Sequence, residues 1–303
     1  MSRLFVFISL MLLFSANVDA QTESQSVGKQ SQVIFADDEP SFPLVGQYGI
    51  KETYLRGTYE HALNNNEASC QYILSWLFYY GERLNRNYHD AFYWGKKAAM
   101  QSHPGGAFIV AKCYELGNGV AQNEAKAKEW YEKALSFAEP QAEKGDALAQ
   151  DVLGNIYCSE FYKDYQLAIK WYRKAADQGF GNSLFSLGRR YYNGEGVEQN
   201  YYQAVYWYQK AASKEHVMAL AELGHCYYTG QGVSANCQEA VKCWTKAASY
   251  NNMYSQRMLG MCYEKGDGVT KNFDVAVNWY KLAARQGEEK AQEILNQHGI
   301  SWK

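Results

Sequence analysis

Four glycine-rich loops are the first residues whose spacing resembles a chemical motif. They are Gly117–Val120 and the segments 194–197, 230–233 and 266–269, each with the pattern GxGV. A loop that binds phosphate follows a strand and continues as GxGxxG or as GxxxxGK, and these loops meet neither condition. Because the same loop recurs along the chain, we predict that its glycines take left-handed backbone angles in turns and do not bind a nucleotide.

The segment Ser26–Lys29, SVGK, matches the SxxK pattern of serine-acylating enzymes. The companion motifs SDN and KTG are missing, and the segment lies in a polar stretch without helical periodicity, so we interpret it as a chance match. The six histidines form no HExxH motif and no pairing with carboxylates that is typical of catalysis. The sequence therefore predicts a protein that is not an enzyme, with no catalytic residue, no metal site and no cofactor.

Seven cysteines complete the set of reactive side chains. No CxxC pair occurs, which argues against a zinc or redox site, and the odd number leaves at least one thiol free even in an oxidising compartment. We predict that most of the cysteines are small buried core residues. Cys226 with Cys237 or Cys243 is the one cluster in which a disulfide is worth testing.

The N-terminus predicts a secretory signal peptide over residues 1–20. Arg3 supplies the positive charge, residues 4–14 form an almost uninterrupted apolar run, and Val18 and Ala20 are the small residues that signal peptidase requires. Cleavage after Ala20 would place the mature chain in the periplasm or outside the cell. The apolar run is about half of the roughly 20 residues that span a membrane, so we expect no stable membrane insertion after cleavage. A retained membrane anchor is the alternative.

Composition excludes some functions and favours a helical chain. The formal net charge is −2 and the sequence shows no basic cluster, which argues against a nucleic-acid partner. Only four prolines occur, as suits a mostly helical protein. No N-x-Ser/Thr acceptor is present, which favours a bacterial over a eukaryotic secreted protein. Residues 21–45 are polar and rich in Gln and Ser, which predicts a flexible linker.

The segment Leu187–Ala212 recurs, starting again at Leu223 and at Leu259, each time 36 residues further along. Its first half carries Leu-Gly and the glycine loop, and its second half ends in WYQKAA or a close variant. Small and apolar residues recur at helical spacing in both halves, as Ala204, Trp207 and Ala211 do on one face of the second helix. Each repeat is therefore predicted to be a helix pair that is stable only in an array. The predicted organisation is an N-terminal capping helix at 46–65, six repeats at 66–287 and a C-terminal capping helix at 288–303.

This pattern resembles the Sel-1-like repeat family, a relative of the tetratricopeptide repeats. The match covers about residues 66–297, with Ser75, Ala111 and Cys243 as departures and with Cys158–Lys163 in place of the glycine loop of the third repeat. The resemblance implies an all-α fold, a right-handed superhelical α-solenoid of helix-turn-helix repeats. It also implies a scaffold or adaptor for protein assembly, and secreted bacterial members include factors that promote host-cell interaction.

In solenoids of this class the first helix of each repeat lines the concave side, and aromatic and arginine side chains there resemble binding hot spots. We choose residues on the helical face that the packing residues leave free. The predicted partner-binding residues are Tyr72, Trp76, Tyr79, Phe108, Lys112, Phe185, Arg189, Tyr192, His225, Tyr228 and Arg257. Packing between adjacent first helices is the alternative role for the aromatic members.

We therefore expect a non-enzymatic scaffold or adaptor that binds a protein or peptide on its concave face, in envelope assembly or in host interaction. The alternative is a peptidoglycan- or β-lactam-recognising protein or enzyme of the cysteine-rich Sel-1-like class. That alternative is motivated by the resemblance and by the cysteines, and covalent labelling by a penicillin would distinguish it from the adaptor.

Overall fold

The computed structural model describes residues 51–81 and 83–303, which form fourteen α-helices and no strand. In chain order the helices are α1 Lys51–Asn64, α2 Ala68–Tyr80, α3 Tyr88–Ala99, α4 Pro104–Leu116, α5 Glu124–Glu143, α6 Ala147–Tyr157, α7 Tyr165–Asp177, α8 Gly181–Asn193, α9 Tyr201–Ala212, α10 Val217–Thr229, α11 Cys237–Ala248, α12 Met253–Lys265, α13 Phe273–Arg285 and α14 Glu289–Gln297. None of these helices is long and apolar enough to span a membrane. The predicted signal peptide, the linker, the SxxK segment and the start of the N-terminal capping helix lie outside the described residues.

Helices α2 to α13 form six successive pairs, which we number units 1 to 6, from α2 with α3 to α12 with α13. Each second helix packs on the first helix of the next unit, and the single helices α1 and α14 cover the two ends of the array. The first helices α2, α4, α6 and α8 also contact one another in order. Stacked helix pairs of this kind confirm the predicted all-α solenoid.

Capping residues set the helix ends. Every second helix follows an Asn or Asp whose side-chain oxygen accepts a hydrogen bond from the backbone N–H three residues on, as Asn200 does from Gln203 at 3.0 Å. Such a cap stabilises a helix by about 1 kcal/mol. Every first helix except α6 ends at a glycine with a positive φ, such as Gly194 at 74°. The glycines of the repeated loop are therefore the turn residues that the sequence predicts.

Within a unit, one aromatic ring of the second helix packs directly against a glycine of the first helix. A Cβ added to Gly188 would lie 2.5 Å from the ring of Tyr208, and one added to Gly224 would lie 2.5 Å from the ring of Trp244. Both rings are almost fully buried. Glycine at this position in these units thus makes room for the ring of the second helix, whereas unit 1 has Ser75 there and a glycine, Gly95, on the second helix instead.

The structure corrects one detail of the sequence pattern. The sequence predicts that Trp207 shares the buried face of α9 with Ala204 and Ala211, but Trp207 is only half-buried and its neighbour Tyr208 is 1% exposed. Helical periodicity does not separate the two positions, because both lie beside the stripe formed by Ala204 and Ala211. The slot opened by Gly188 decides which of the two rings is buried.

The array curves until unit 1 meets unit 5. The backbone N–H of Arg83, in the loop after α2, donates to the carbonyl of Tyr250 at 2.9 Å, in the loop after α11. The Arg83 guanidinium lies 5.0 Å from the ring centre of Tyr250, and Asn251 Nδ2 donates to Asn85 Oδ1 at 3.3 Å. Along the chain, the four first helices of units 2 to 5 therefore lie between these two contacting loops.

Candidate binding cavity on the first helices

The predicted partner-binding residues all lie on first helices in the described part of the chain, but they are buried to different extents. Tyr72, Tyr79 and Phe108 are at most 7% exposed, so their side chains pack mainly against neighbours. Arg189 is exposed, and the remaining members are half-buried. The surface that these residues offer to a partner is therefore smaller than the sequence pattern indicates.

Three of the predicted tyrosines hold neighbouring units together. Tyr192 in unit 4 donates to Oε1 of Gln231 at 2.7 Å, and Tyr228 in unit 5 donates to Oδ2 of Asp267 at 2.7 Å. In unit 1 the hydroxyl of Tyr79 accepts from Asn118 at 3.3 Å. In each case the partner is the middle residue of the GxG loop of the next unit. We call these contacts the tyrosine clamps.

Two other predicted aromatic residues stack on histidines that cap the next first helix. Tyr72 lies 4.8 Å from the ring of His103, and Phe185 lies 4.7 Å from the ring of His216. Each histidine accepts a backbone N–H through Nδ1, at 3.3 Å for His103 and 3.2 Å for His216. Burial lowers the pKa of both to about 4, which keeps Nδ1 free to accept. These histidines act in helix capping, a role that their sequence spacing does not reveal.

The predicted residues of the last two units are also engaged with neighbours. Arg257 forms an ion pair with Glu288 at 2.8 Å, and both side chains are 14% exposed, so this pair joins unit 6 to α14. The Tyr254 hydroxyl and His225 Nδ1 lie 3.3 Å apart. Such contacts leave the cationic head of Arg257 occupied and the His225 ring half-buried.

Phe108, Lys112 and Arg189 are brought together at one cavity of about 240 Å³. Its walls come from four first helices in succession, with Tyr80 from α2, Phe108 and Lys112 from α4, residues around the end of α6, and Arg189 from α8. The end of α6 runs into the Cys158–Lys163 loop of unit 3, where the glycine loop of the other units is replaced. The cavity therefore lies where the repeat pattern is broken.

The irregular loop packs differently from the glycine loops. Phe161 lies 5.4 Å from the ring of Tyr131 in unit 2, so an aromatic contact anchors the loop on the preceding unit. At the position of the clamping tyrosines, unit 3 has Cys158. The Tyr172 hydroxyl donates to Asn155 Oδ1 at 2.9 Å, and its oxygen lies 3.6 Å from Cys158 Sγ. No clamp to the loop of unit 4 is made from Cys158.

Three basic side chains line the cavity. Lys112 pairs with Glu115 at 3.1 Å, and Arg190 pairs with Glu195 at 2.5 Å through Nη1. Arg189 forms no ion pair with the described residues, and its guanidinium lies 6.0 Å from the ring centre of Phe185. Among the described residues that line the cavity, none is acidic. Its net charge is therefore positive.

Two buried polar atoms at the cavity have no hydrogen-bond partner among the described residues. They are Arg190 Nε and Ser159 Oγ, in side chains that are 7% and 8% exposed. An unsatisfied buried donor costs about 1–3 kcal/mol, and more when it is charged. Neither residue is among the predicted partner-binding residues, and in the sequence Cys158–Lys163 only replaces the glycine loop of the third repeat. The signal that marks them is the departure of Cys158–Lys163 from the repeat.

Two ionisable groups beside the cavity have shifted pKa values. Burial raises the pKa of the Cys158 thiol, and the nearby cations of Arg190 and Arg189 act in the opposite direction. Burial also raises the pKa of Asp151 in α6 to about 7, against the hydrogen bonds that Ser183 and Asn155 donate to it. Cys158 is a protonated thiol at neutral pH and a poor nucleophile.

No group of His, Cys, Asp or Glu within residues 51–81 and 83–303 is arranged to hold a metal ion. All seven cysteines are free thiols, including the cluster Cys226, Cys237 and Cys243. The prediction of buried core cysteines is confirmed for four of them, namely Cys70, Cys113, Cys226 and Cys262. The pattern of cysteines therefore reflects packing inside the units.

A family model described as Sel1 repeat matches six segments of the chain. They are residues 68–103, 104–136, 147–180, 181–216, 217–251 and 254–288. These segments follow units 1 to 6 in order and together cover more than half of the sequence. Sel1 repeats typically mediate interactions between proteins.

Individual relatives share the repeats over part of their length. An uncharacterized protein of Neisseria meningitidis serogroup B is 26% identical over 165 residues, which are 46% of this chain and 35% of that protein. A protective antigen of uropathogenic Escherichia coli displaying an SLR fold is 31% identical, with a TM-score of 0.49, over 80% of this chain and 52% of the antigen. An immunity protein from Pseudomonas aeruginosa shares the fold at 18% identity, with a TM-score of 0.50, over 72% of this chain and 81% of that one. The chain thus spans about a third of the Neisseria protein and about half of the antigen.

Proposed function

The chain belongs to the Sel1-repeat family, and from this we propose that it is a non-enzymatic scaffold that binds a protein or peptide along its first helices. The observation that carries the proposal is the convergence of four first helices on one positively charged cavity at the irregular unit 3. A groove formed by stacked helices presents a continuous surface on which an extended peptide or a partner helix can lie. The repeat framework positions this surface.

The residues that remain partly open along the first helices define where such a partner lies. Trp76, Arg189 and His225 belong to α2, α8 and α10 and are not fully buried. By contrast, Tyr79, Tyr192 and Tyr228 are used in the tyrosine clamps. We therefore assign the clamps to the stability of the array and the more open side chains to the partner.

The proposed place of action is the periplasm or the outside of the cell, in envelope assembly or in contact with a host. This part of the proposal rests on the signal-like segment at residues 1–20. N-terminal sequencing of the protein purified from its native host tests it. A mature chain that starts after Ala20 supports the proposal, and a cytoplasmic chain that starts at Met1 contradicts it.

Position-specific crosslinking tests the binding surface. A photoreactive benzoylphenylalanine is placed at His225 on α10 or, as the control, at Tyr202 on the second helix α9, whose side chain is 78% exposed. We expect a discrete crosslinked adduct in native cells from position 225, and its loss when excess unmodified protein competes. The same adduct from both positions, or none from position 225, would contradict binding along the first helices.

A further inference from the structure

The cavity at unit 3 combines positive charge with unused hydrogen-bond donors. Lys112, Arg189 and Arg190 reach it from α4 and α8, and no acidic residue among those described lines it. Lys112 and Arg190 are each paired with a carboxylate, Glu115 and Glu195, which leaves the charge of Arg189 uncompensated. One further negative charge would therefore balance the site.

The unused donors are the second observation. Arg190 Nε and Ser159 Oγ are buried and have no partner among the described residues, although almost all buried polar atoms in folded proteins are hydrogen-bonded. Both belong to residues that line the cavity. Both atoms are covered by neighbouring groups in this structure, so the Arg190 and Ser159 side chains must rotate before an acceptor in the cavity can reach them.

The size of the cavity limits what enters. Its volume of about 240 Å³ is below the range of about 300–1,000 Å³ that is usual for whole small-molecule ligands. A single side chain or a chain end of a larger partner fits better. The half-open walls, with Arg189 exposed and Lys112 half-buried, leave such a group a way in.

We propose that this cavity binds one carboxylate of the partner peptide, with Arg189 and Lys112 as the surrounding charge and with Arg190 Nε and Ser159 Oγ as donors that turn toward the carboxylate on binding. The assignment rests on the proposed function and deepens it, since it names the chemistry by which the partner is held. Guanidinium groups suit carboxylates because they donate charge-assisted hydrogen bonds in a fixed plane. A carboxylate carries the single negative charge that the cavity lacks, whereas a phosphate would bring nearly two.

Glu222 is the acidic group that opposes this arrangement. It lies on α10, where burial raises the pKa of its carboxyl, while the nearby His225 and Arg189 lower that pKa less strongly. Glu222 does not line the cavity, but its carboxyl group can still compete for the charge of Arg189. We expect Glu222→Gln to strengthen carboxylate binding about threefold.

The test uses small probes and the side-chain N–H signals of arginine in NMR spectra of the mature chain. The probes are N-acetyl-glutamate N-methylamide, its glutamine counterpart, N-acetyl-glycylglycine with a free carboxyl end, and inorganic phosphate. We expect saturable shifts of the Arg190 Nε–H signal with the glutamate probe and at least tenfold weaker binding of the glutamine probe. Binding of the glycylglycine acid also supports the assignment, and the tighter of the two acids identifies a side chain or a chain end as the source.

Variants separate binding from folding. Arg189→Ala removes an exposed side chain, and Ser159→Ala removes a hydroxyl without a partner, so neither is expected to lower the melting temperature. Each substitution should weaken binding of the glutamate probe about five- to tenfold. Arg56→Ala, which replaces an exposed arginine on α1, should leave that binding unchanged. Equal binding of the glutamate and glutamine probes, tighter binding of phosphate than of either acid, or an unchanged affinity in both cavity variants would overturn the proposal.

Failure of the carboxylate assignment can be distinguished from failure of the proposed scaffold function. An adduct at position 225 without binding of the glutamate probe removes only the carboxylate assignment. Binding of the probe without any adduct removes the partner surface and leaves the cavity as an anion site of this chain.

Discussion

Two kinds of junction join neighbouring units, and they use their polar groups differently. Between units 4 and 5 and between units 5 and 6, the tyrosine clamps reach into the next glycine loop at 2.7 Å. Around unit 3 there is no such clamp among the described residues. There Ser183 of unit 4 donates to buried Asp151 of unit 3 at 2.6 Å, and Arg190 pairs with Glu195 inside unit 4.

The difference shows that a regular repeat uses polar side chains for contacts between units, so that fewer of them are left to bind a partner. In a regular junction the tyrosine hydroxyl and the loop side chain bond to each other, and the buried Ser255 Oγ, which also lacks a partner among the described residues, does not line the cavity. At the irregular junction, Ser159 and Arg190 keep unsatisfied donors beside a cavity. A departure from the repeat therefore marks the place where the array has room for a specific site.

The largest loss of stability is expected from a substitution in a regular glycine loop, at the point where the loop contacts the preceding unit. A Cβ on Gly232 would lie against the backbone carbonyl of Tyr201 in unit 4, and Gly232 has a φ of 73°. The left-handed angle costs about 1–2 kcal/mol for other residues and overpacking adds about 1–3 kcal/mol, so we expect Gly232→Ala to lower the free energy of unfolding by about 4 kcal/mol. Urea unfolding followed by circular dichroism measures the change.

Gly287 provides the matched control for that substitution. It has a φ of 88°, but an added Cβ would meet nothing within 4 Å. Gly287→Ala should therefore lower the free energy of unfolding only by the backbone cost of about 1–2 kcal/mol. If the two substitutions had equal effects, close packing between a regular loop and the preceding unit would be ruled out as the source of stability.

The irregular junction should respond to pH through Asp151. Burial raises its pKa from 3.8 to about 7, so between these values the folded chain keeps a proton that the unfolded chain has lost. The contribution of Asp151 to stability is thus full at about pH 4 and falls as pH rises toward 7, by at most about 1.4 kcal/mol per pH unit. We expect the stability of the wild type relative to Asp151→Asn to fall by about 2 kcal/mol between pH 5 and pH 7.

Taking the difference between the two proteins removes the other titrating groups. His103 and His216, whose pKa values are lowered to about 4, act with the opposite sign, because the unfolded chain binds their protons first as pH falls below 6.5. Both proteins contain these histidines, so their contribution cancels. A difference that stays constant from pH 5 to pH 8 would mean that Asp151 is ionised in the folded junction.

The sequence predicts the fold well because the residues that define the fold are the ones that repeat. The Leu-Gly position, the glycine loop and the second-helix alanines recur every 36 residues in units 4 to 6. Sequence periodicity failed at Trp207 and Tyr208, where both positions border the buried stripe and only the slot at Gly188 separates them. Local pattern thus predicts which helices form but not which of two adjacent rings is buried.

The candidate site was predictable only in part. The sequence places Lys112 and Arg189 on the free face of their helices, and both line the cavity. It did not identify Ser159 and Arg190, because their role depends on four units meeting around a loop that no other unit shares. Tyr192 shows the reverse error. Its place on a helical face without packing residues predicted contact with a partner, but in the structure its hydroxyl contacts the loop of the next unit.

The smallest expected loss of stability tests the tyrosine clamp at Tyr192. Tyr192→Phe removes only the hydroxyl that donates to Gln231 at 2.7 Å, a neutral hydrogen bond worth about 1 kcal/mol net. We expect a loss of about that size in urea unfolding, and a coupling of about 0.5–1 kcal/mol in a double-mutant cycle with Gln231→Ala. Tyr202→Phe, at a side chain 78% exposed, should change nothing. If Tyr192→Phe is as neutral as Tyr202→Phe, the clamp does not hold units 4 and 5, and Tyr192 becomes available to a partner.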